Sequence, residues 1–109
     1  MARLKFLVYS KHGTALFIAR RLEAEGHSCR FYVDEPAYRF RGRGLVETTR
    51  DPEPQRGEIV IIDEDGYGEQ AARWRRRGHL VLGGNAEAEK WETDRSHGAK
   101  IMERGRYLI

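Results

Sequence analysis

The chain has one cysteine, Cys29, among its 109 residues. A lone thiol cannot close an internal disulfide, so the fold must be held by packing and polar contacts, and a reducing compartment suits it. Prolines number three, and they fall outside the periodic segments: Pro36 at a strand end, Pro52 and Pro54 in an expected exposed turn. No run approaches the ~18 apolar residues that cross a bilayer. The start, Met1-Ala2-Arg3-Leu4-Lys5, has no long apolar stretch of the secretory kind. A soluble, cytoplasmic protein without a membrane partner is the expectation. Charge of one sign is also scarce, with 20 Lys and Arg against 17 Asp and Glu. That balance permits a phosphorylated ligand but supplies no dominant basic field, so a nucleic-acid partner is not expected. The four histidines, His12, His27, His79 and His97, lack metal-ligand spacing. No Walker loop and no G-x-G-x-x-G is present. No catalytic nucleophile and no metal site is assigned.

What is present is a regular alternation of strand and helix signals. Hydrophobic residues make up 39% and charged residues 34%, which suits one modest core in a single domain spanning residues 1–109. Leu4–Tyr9 is apolar and β-prone. From Thr14 the apolar positions Ala15, Ile18, Ala19 and Leu22 share one helical face, and Gly26 supplies the stop. Cys29–Val33 reads as the next strand, ending at Asp34-Glu35-Pro36. Glu58–Asp63 is the clearest strand, Tyr67–Arg77 a helix closed by Gly78, and Leu80–Leu82 a fourth strand. Gly83-Gly84-Asn85 opens a helical region through about Arg104, with Thr93 as an N-cap inside it. The segment Asp34–Gly57 is long for a structureless loop, so Gly44–Thr48 is expected to be extended. Strands separated by helices predict an α/β, Rossmann-like three-layer domain with a mostly parallel sheet of four or five strands.

In such sheets ligands bind outside the carboxyl ends of the strands. Here those ends are Ser10–Gly13, Asp34-Glu35, Asp63–Gly68 and Gly83–Asn85. Ser10, Lys11 and Gly13 offer a hydroxyl, a cation and a flexible backbone at a helix start, all suited to an anion. The plain alternative is a tight corner with Lys11 in solvent. Asp63, Glu64 and Asp65 could take an amine or a cation, or simply favour the helix start that follows. Gly66 beside them, and Gly83 and Gly84 at the last end, would let a ligand approach the backbone. Ser10, Lys11, Gly13, Asp63, Asp65, Gly66, Gly83 and Gly84 are thus the candidate substrate-binding residues. Tyr38–Arg43 mixes cations with aromatics, a pattern that can stack on nucleic acid. Arg73, Arg75, Arg76 and Arg77 around Trp74 read as a solvated helix face.

The stretch Gly83-Gly84-Asn85-Ala86-Glu87-Ala88-Glu89-Lys90-Trp91-Glu92-Thr93-Asp94-Arg95 resembles a motif of the phosphoribosylamine–glycine ligases (glycinamide ribonucleotide synthetases). That motif is Gly-Pro-Thr followed by Leu-Glu-x-Ser-Lys. Glu92 matches its glutamate and Arg95 its basic residue, and Gly98-Ala99-Lys100-Ile101-Met102 continues in the same manner. Ser10–Leu16 stands where the family carries a Gly-rich turn, Ala15-Leu16 matching its end. Asp63-Glu64-Asp65 stands where the family has Gly-Pro-Glu, with Asp65 matching in charge. The resemblance implies a pre-ATP-grasp domain whose strand ends help hold a phosphorylated sugar-amine. ATP and magnesium are implied only for the family's ATP-grasp domain, which lies beyond such a domain, so no cofactor is expected in this chain. Either a downstream ATP-grasp domain or a protein partner would complete it. The alternative expectation is a stand-alone, non-catalytic interaction module, with Asp34–Gly57 and the Arg73–Arg77 face as its contact surfaces.

Overall fold

A strand covered on both faces needs apolar residues on both, and the first strand has them. Five of its six residues are buried, in the pattern expected for the centre of a parallel sheet. The computed structural model describes residues 3–84. It shows β1 (Lys5–Ser10), α1 (Leu16–Ala24), β2 (Ser28–Val33), a 3-10 turn (Pro36–Tyr38), β3 (Glu58–Ile62), α2 (Gly68–Arg76) and β4 (Val81–Leu82). The strands form one all-parallel sheet in the order β2-β1-β3-β4, so the expected four- or five-stranded α/β sheet has four strands. The expected helical region from Asn85 to Arg104, its Thr93 cap and the Trp91–Arg95 motif lie outside the described residues.

Alternate residues of each strand feed two cores, one on each face. Leu7, Tyr9, Tyr32, Val60 and Ile62 pack with Ala71 and Trp74 of α2. Phe6, Val8, Cys29, Phe31 and Val33 pack with Ala15 and with Ala19 of α1. Opposite parity in the strands therefore places the two helices on opposite faces, giving three layers. Trp74, wholly buried, is the largest side chain in the first core, and its indole N–H donates to Glu53 at 3.1 Å.

Element ends shift by a residue or two from the sequence reading, and α1 shows why. It starts at Leu16 rather than Thr14, because the Thr14 hydroxyl donates to Asp63 across the sheet instead of capping its own helix. Gly26, with φ of +91°, closes α1 as expected. The extended piece expected over Gly44–Thr48 is mostly a turn. Leu45 and Val46 both donate to the Gly42 carbonyl, and only Thr48 bridges Phe31 on the outer edge of β2. Gly42 lies flat on Phe31, where a Cβ would come within 2.9 Å of the ring. That close approach forces the turn.

The segment after Thr48 is fastened by polar stitches. Arg30 in β2 and Glu58 at the start of β3 form a buried bidentate pair (Nη2–Oε1 2.6 Å, Nε–Oε2 2.8 Å). Arg30 also donates to Thr49 Oγ1 and to the Glu53 carbonyl, and the Gln55 amide donates to Glu58. Glu58, by accepting these bonds, holds the Arg30 guanidinium charged, above its ordinary value. Glu53 in turn accepts from Trp74 and pairs with Arg73 and Arg77 of α2.

Candidate functional site

The chain leaves β1 for β2 on one side and then crosses to β3 on the other. That reversal makes the carboxyl ends of β1 and β3 the topological switch point, the place where open parallel sheets bind ligands in a crevice. Residues 10–14 and 63–66 are the two lips of that crevice. They are joined by a polar cluster: Ser10 Oγ donates to Asp63 Oδ2 at 2.7 Å and Thr14 Oγ1 donates to the same oxygen at 2.8 Å. His12 Nδ1 meets both carboxylate oxygens of Glu64, at 3.0 and 3.1 Å. The other oxygen of Asp63, Oδ1, is buried and has no hydrogen-bond partner among the described residues. A carboxylate oxygen held from water without a donor is costly, so it is a strong acceptor for any donor that reaches it.

The first lip carries the opposite character. Among the described residues, nothing accepts from the backbone N–H groups of His12, Gly13 and Thr14, which stand just before α1. α1 has no side-chain cap at Ala15, although Ala15 N–H donates to Ser10 Oγ and the Leu16 and Ile18 N–H groups donate to the Gly13 and Ala15 carbonyls, so the helix dipole alone adds to the positive potential there. Lys11 is half-buried, and its ammonium forms no ion pair with a described carboxylate. The crevice thus has a donor-rich lip facing a carboxylate-rich one.

The sequence-derived candidates divide accordingly. Ser10 and Asp63 meet directly, but Ser10 is fully buried and its hydroxyl is committed to Asp63, so its part is to orient that carboxylate. Lys11 and Gly13 sit on the donor lip. Gly13, at φ +81°, leaves room for Arg41, whose side chain would lie 2.8 Å from a Cβ there. Asp65 and Gly66 are exposed beyond the acidic lip. Gly83 and Gly84 serve the chain's own packing: a Cβ on Gly83 would collide with the Ile62 carbonyl oxygen, and one on Gly84 would lie 2.8 Å from Ala71. Among the described residues no group of three or more His, Cys, Asp or Glu side chains is placed to hold a metal.

Sequence reasoning put His12 and Glu64 at the strand ends without pairing them, and it did not single out Thr14 as a member of the cluster. Their partners lie about fifty positions away, at |i−j| of 49 and 52, so only the strand order brings them together. Asp34, at the end of β2, was legible as a strand-end acid but not by its partners. Its two oxygens accept from Tyr32 (3.1 Å) and Tyr67 (2.8 Å), closing an aromatic group in which Tyr9 touches both rings. Burial first, and then the Asp34 charge, push the Tyr9 phenol well above its ordinary value. Tyr67 is raised by burial and by its bond to Asp34. These phenols stay neutral donors, and Asp34 is a structural acceptor rather than a free anion.

Among the described residues no helix is long and apolar enough to cross a membrane. No protein-family model, no curated protein and no solved structure matches this chain.

Proposed function

We propose that this domain binds a phosphorylated sugar-amine at the β1/β3 switch point, as the substrate-side part of a phosphoribosylamine–glycine ligase-like ATP-grasp protein. The observation that carries the reading is Asp63 Oδ1, a buried acceptor without a described partner, at the strand end beside the one that leads into α1. An ammonium or amine on the ligand would satisfy Asp63. A phosphoryl group would take the N–H groups of His12–Thr14 and the Lys11 ammonium. Ser10 and Thr14 hold the Asp63 carboxylate in place, and His12 holds Glu64. The domain binds and orients. Bond formation with glycine and consumption of ATP belong to the ATP-grasp portion of such a protein.

The pair of probes that tests this is glucosamine 6-phosphate and glucose 6-phosphate, which share the phosphate and differ in the amine. Both should shift the NMR amide signals of Lys11–Thr14, and the amine-bearing sugar should also shift Asp63–Gly66. One charge-assisted hydrogen bond is worth roughly 1.5–3 kcal/mol, so the amine should tighten binding about tenfold or more. Asp63→Asn should erase that difference while leaving the phosphate-dependent shifts. Equal affinities for the two sugars in the parent protein, or silence at both lips, would end the proposal.

A further inference from the structure

Outside the switch point, on the free edge of β2, the molecule has a cavity of about 410 Å³. Four arginines, Arg39, Arg41, Arg43 and Arg50, line it, over a floor of Phe31 and Val33. None of the four is paired with a carboxylate among the described residues, although five ion pairs form elsewhere in them. Guanidiniums repel one another when gathered around one space, and solvent-facing acids nearby usually relieve that repulsion. Here no described carboxylate comes close enough to any of the four to form an ion pair.

The backbone holds this gathering in place. One wall is the turn after Pro36–Tyr38, pressed onto Phe31 through Gly42. The other is the strand-like piece at Thr48-Thr49, pinned by Phe31 N–H to Glu47 O (2.8 Å) and Thr49 N–H to Phe31 O (3.0 Å). Both walls are anchored on the same strand residue. Arg39 is oriented by donating from Nε to Val33 O and from Nη2 to Asp34 O, with its guanidinium over the Tyr32 ring at 5.9 Å. Arg41 gives one N–H to His12 O and rests on the Tyr38 ring at 4.7 Å, leaving its remaining donors. Arg43 and Arg50 engage no described residue through their guanidiniums.

We infer that this cleft is a second, separate binding site, for a small phosphorylated molecule carrying at least two negative charges. Planar forked donors match phosphoryl oxygens, and two oriented arginines beside two free ones make a preorganised receptor. The cavity is larger than a phosphate ion and within the size of small-molecule pockets, so the apolar floor receives the organic body. The flanking residues Glu35, Glu47 and Asp51 interrupt any basic stripe. A compact anion fits this pattern, whereas a nucleic-acid strand needs a continuous track of positive charge.

Inorganic pyrophosphate is the probe, followed by titration calorimetry on the full chain at low salt. Saturable one-site binding is expected, weakening as salt is added. Arg43→Gln with Arg50→Gln removes two groups that hold no fold contact, and should cut the affinity roughly ten- to hundredfold. Circular dichroism should show that this variant stays folded. Pyrophosphate should shift the NMR amide signals of Arg39–Arg43 and Thr48–Arg50, and the double variant should lose those shifts, which separates this site from the switch point. The inference is overturned if pyrophosphate does not bind, if the double variant binds it as well as the parent, or if pyrophosphate shifts only the Lys11–Thr14 amides. It is also overturned if single-stranded oligonucleotide binds at the arginines and pyrophosphate cannot displace it.

Discussion

Removing one member of the Arg30–Glu58 pair should bring the domain close to unfolding. The pair is buried, with side chains only 11% and 5% exposed. Arg30→Met leaves the Glu58 carboxylate in the core with the Gln55 amide as its remaining hydrogen-bond donor. Glu58→Met leaves a buried guanidinium with only neutral acceptors, Thr49 and the Glu53 carbonyl. Breaking such a pair from one side costs about 3–5 kcal/mol, against a total of ~5–15 kcal/mol for a domain. With a urea slope of about 1.5 kcal/mol/M, each single variant should lower the unfolding midpoint by about 2–3 M. The double variant carries no orphaned charge. Its cost should fall short of the summed single costs by about 2 kcal/mol or more. Urea unfolding followed by circular dichroism on all four proteins closes the cycle. Single variants that each cost under ~1 kcal/mol, or costs that simply add, would refute the account of this pair as the main polar bond of the sheet.

Stability should also fall in alkali, in two steps. Burial, with the charges of Glu23, Glu47 and Glu58, pushes the Cys29 thiol up to about 12 in the folded protein from 9.0. A raised value means stability intact below about 9 and lost progressively as pH climbs to about 12, at up to ~1.4 kcal/mol per pH unit. Cys29→Ala should remove the early part of that decline in urea unfolding at stepped pH, leaving the later part that Tyr9, Tyr32 and Tyr67 begin near 10. An unchanged profile would sink the assignment. For the glycines, Gly26 and Gly83 share a φ of +91°, but only Gly83 faces another atom. Gly26→Ala should cost the ~1–2 kcal/mol of a left-handed residue, and Gly83→Ala clearly more in thermal melts. Equal losses would show that the Ile62 contact is irrelevant.

How much of this was readable from the sequence depends on the range of the interaction. β3 was legible because Ile59–Ile62 is an unbroken β-branched run, and α1 because its apolar residues recur at helical spacing. The crevice was legible as a place, since parallel order alone puts the strand ends on one edge. Its chemistry was not. Ser10 read as a ligand donor, yet it faces Asp63 because β1 and β3 are neighbours, a fact that no local pattern encodes. The glycines at 83 and 84 read as ligand clearance, and the space they leave is filled by β3 and α2. Arg30 and Glu58 were each visible as charges within apolar strands, but their partnership depends on β1 lying between them. The arginine cleft was visible only as a basic and aromatic run. The apparent structureless gap was its second wall.

The stitched segment between Thr48 and Glu58 runs from the β2 edge to the start of β3 with no helix or strand of its own. Its hold comes from a few side-chain bonds, several of them through Arg30 and Glu53. A segment of this kind opens as a unit, below the energy of global unfolding, and reseals without disturbing the strands. Hydrogen exchange would see it as a separate cooperative block, with the 49–57 amides exchanging together while β1 and β3 stay protected. The domain is thus built in two tiers of persistence: a sheet that lasts as long as the fold does, and a hinged panel that breathes on its own schedule.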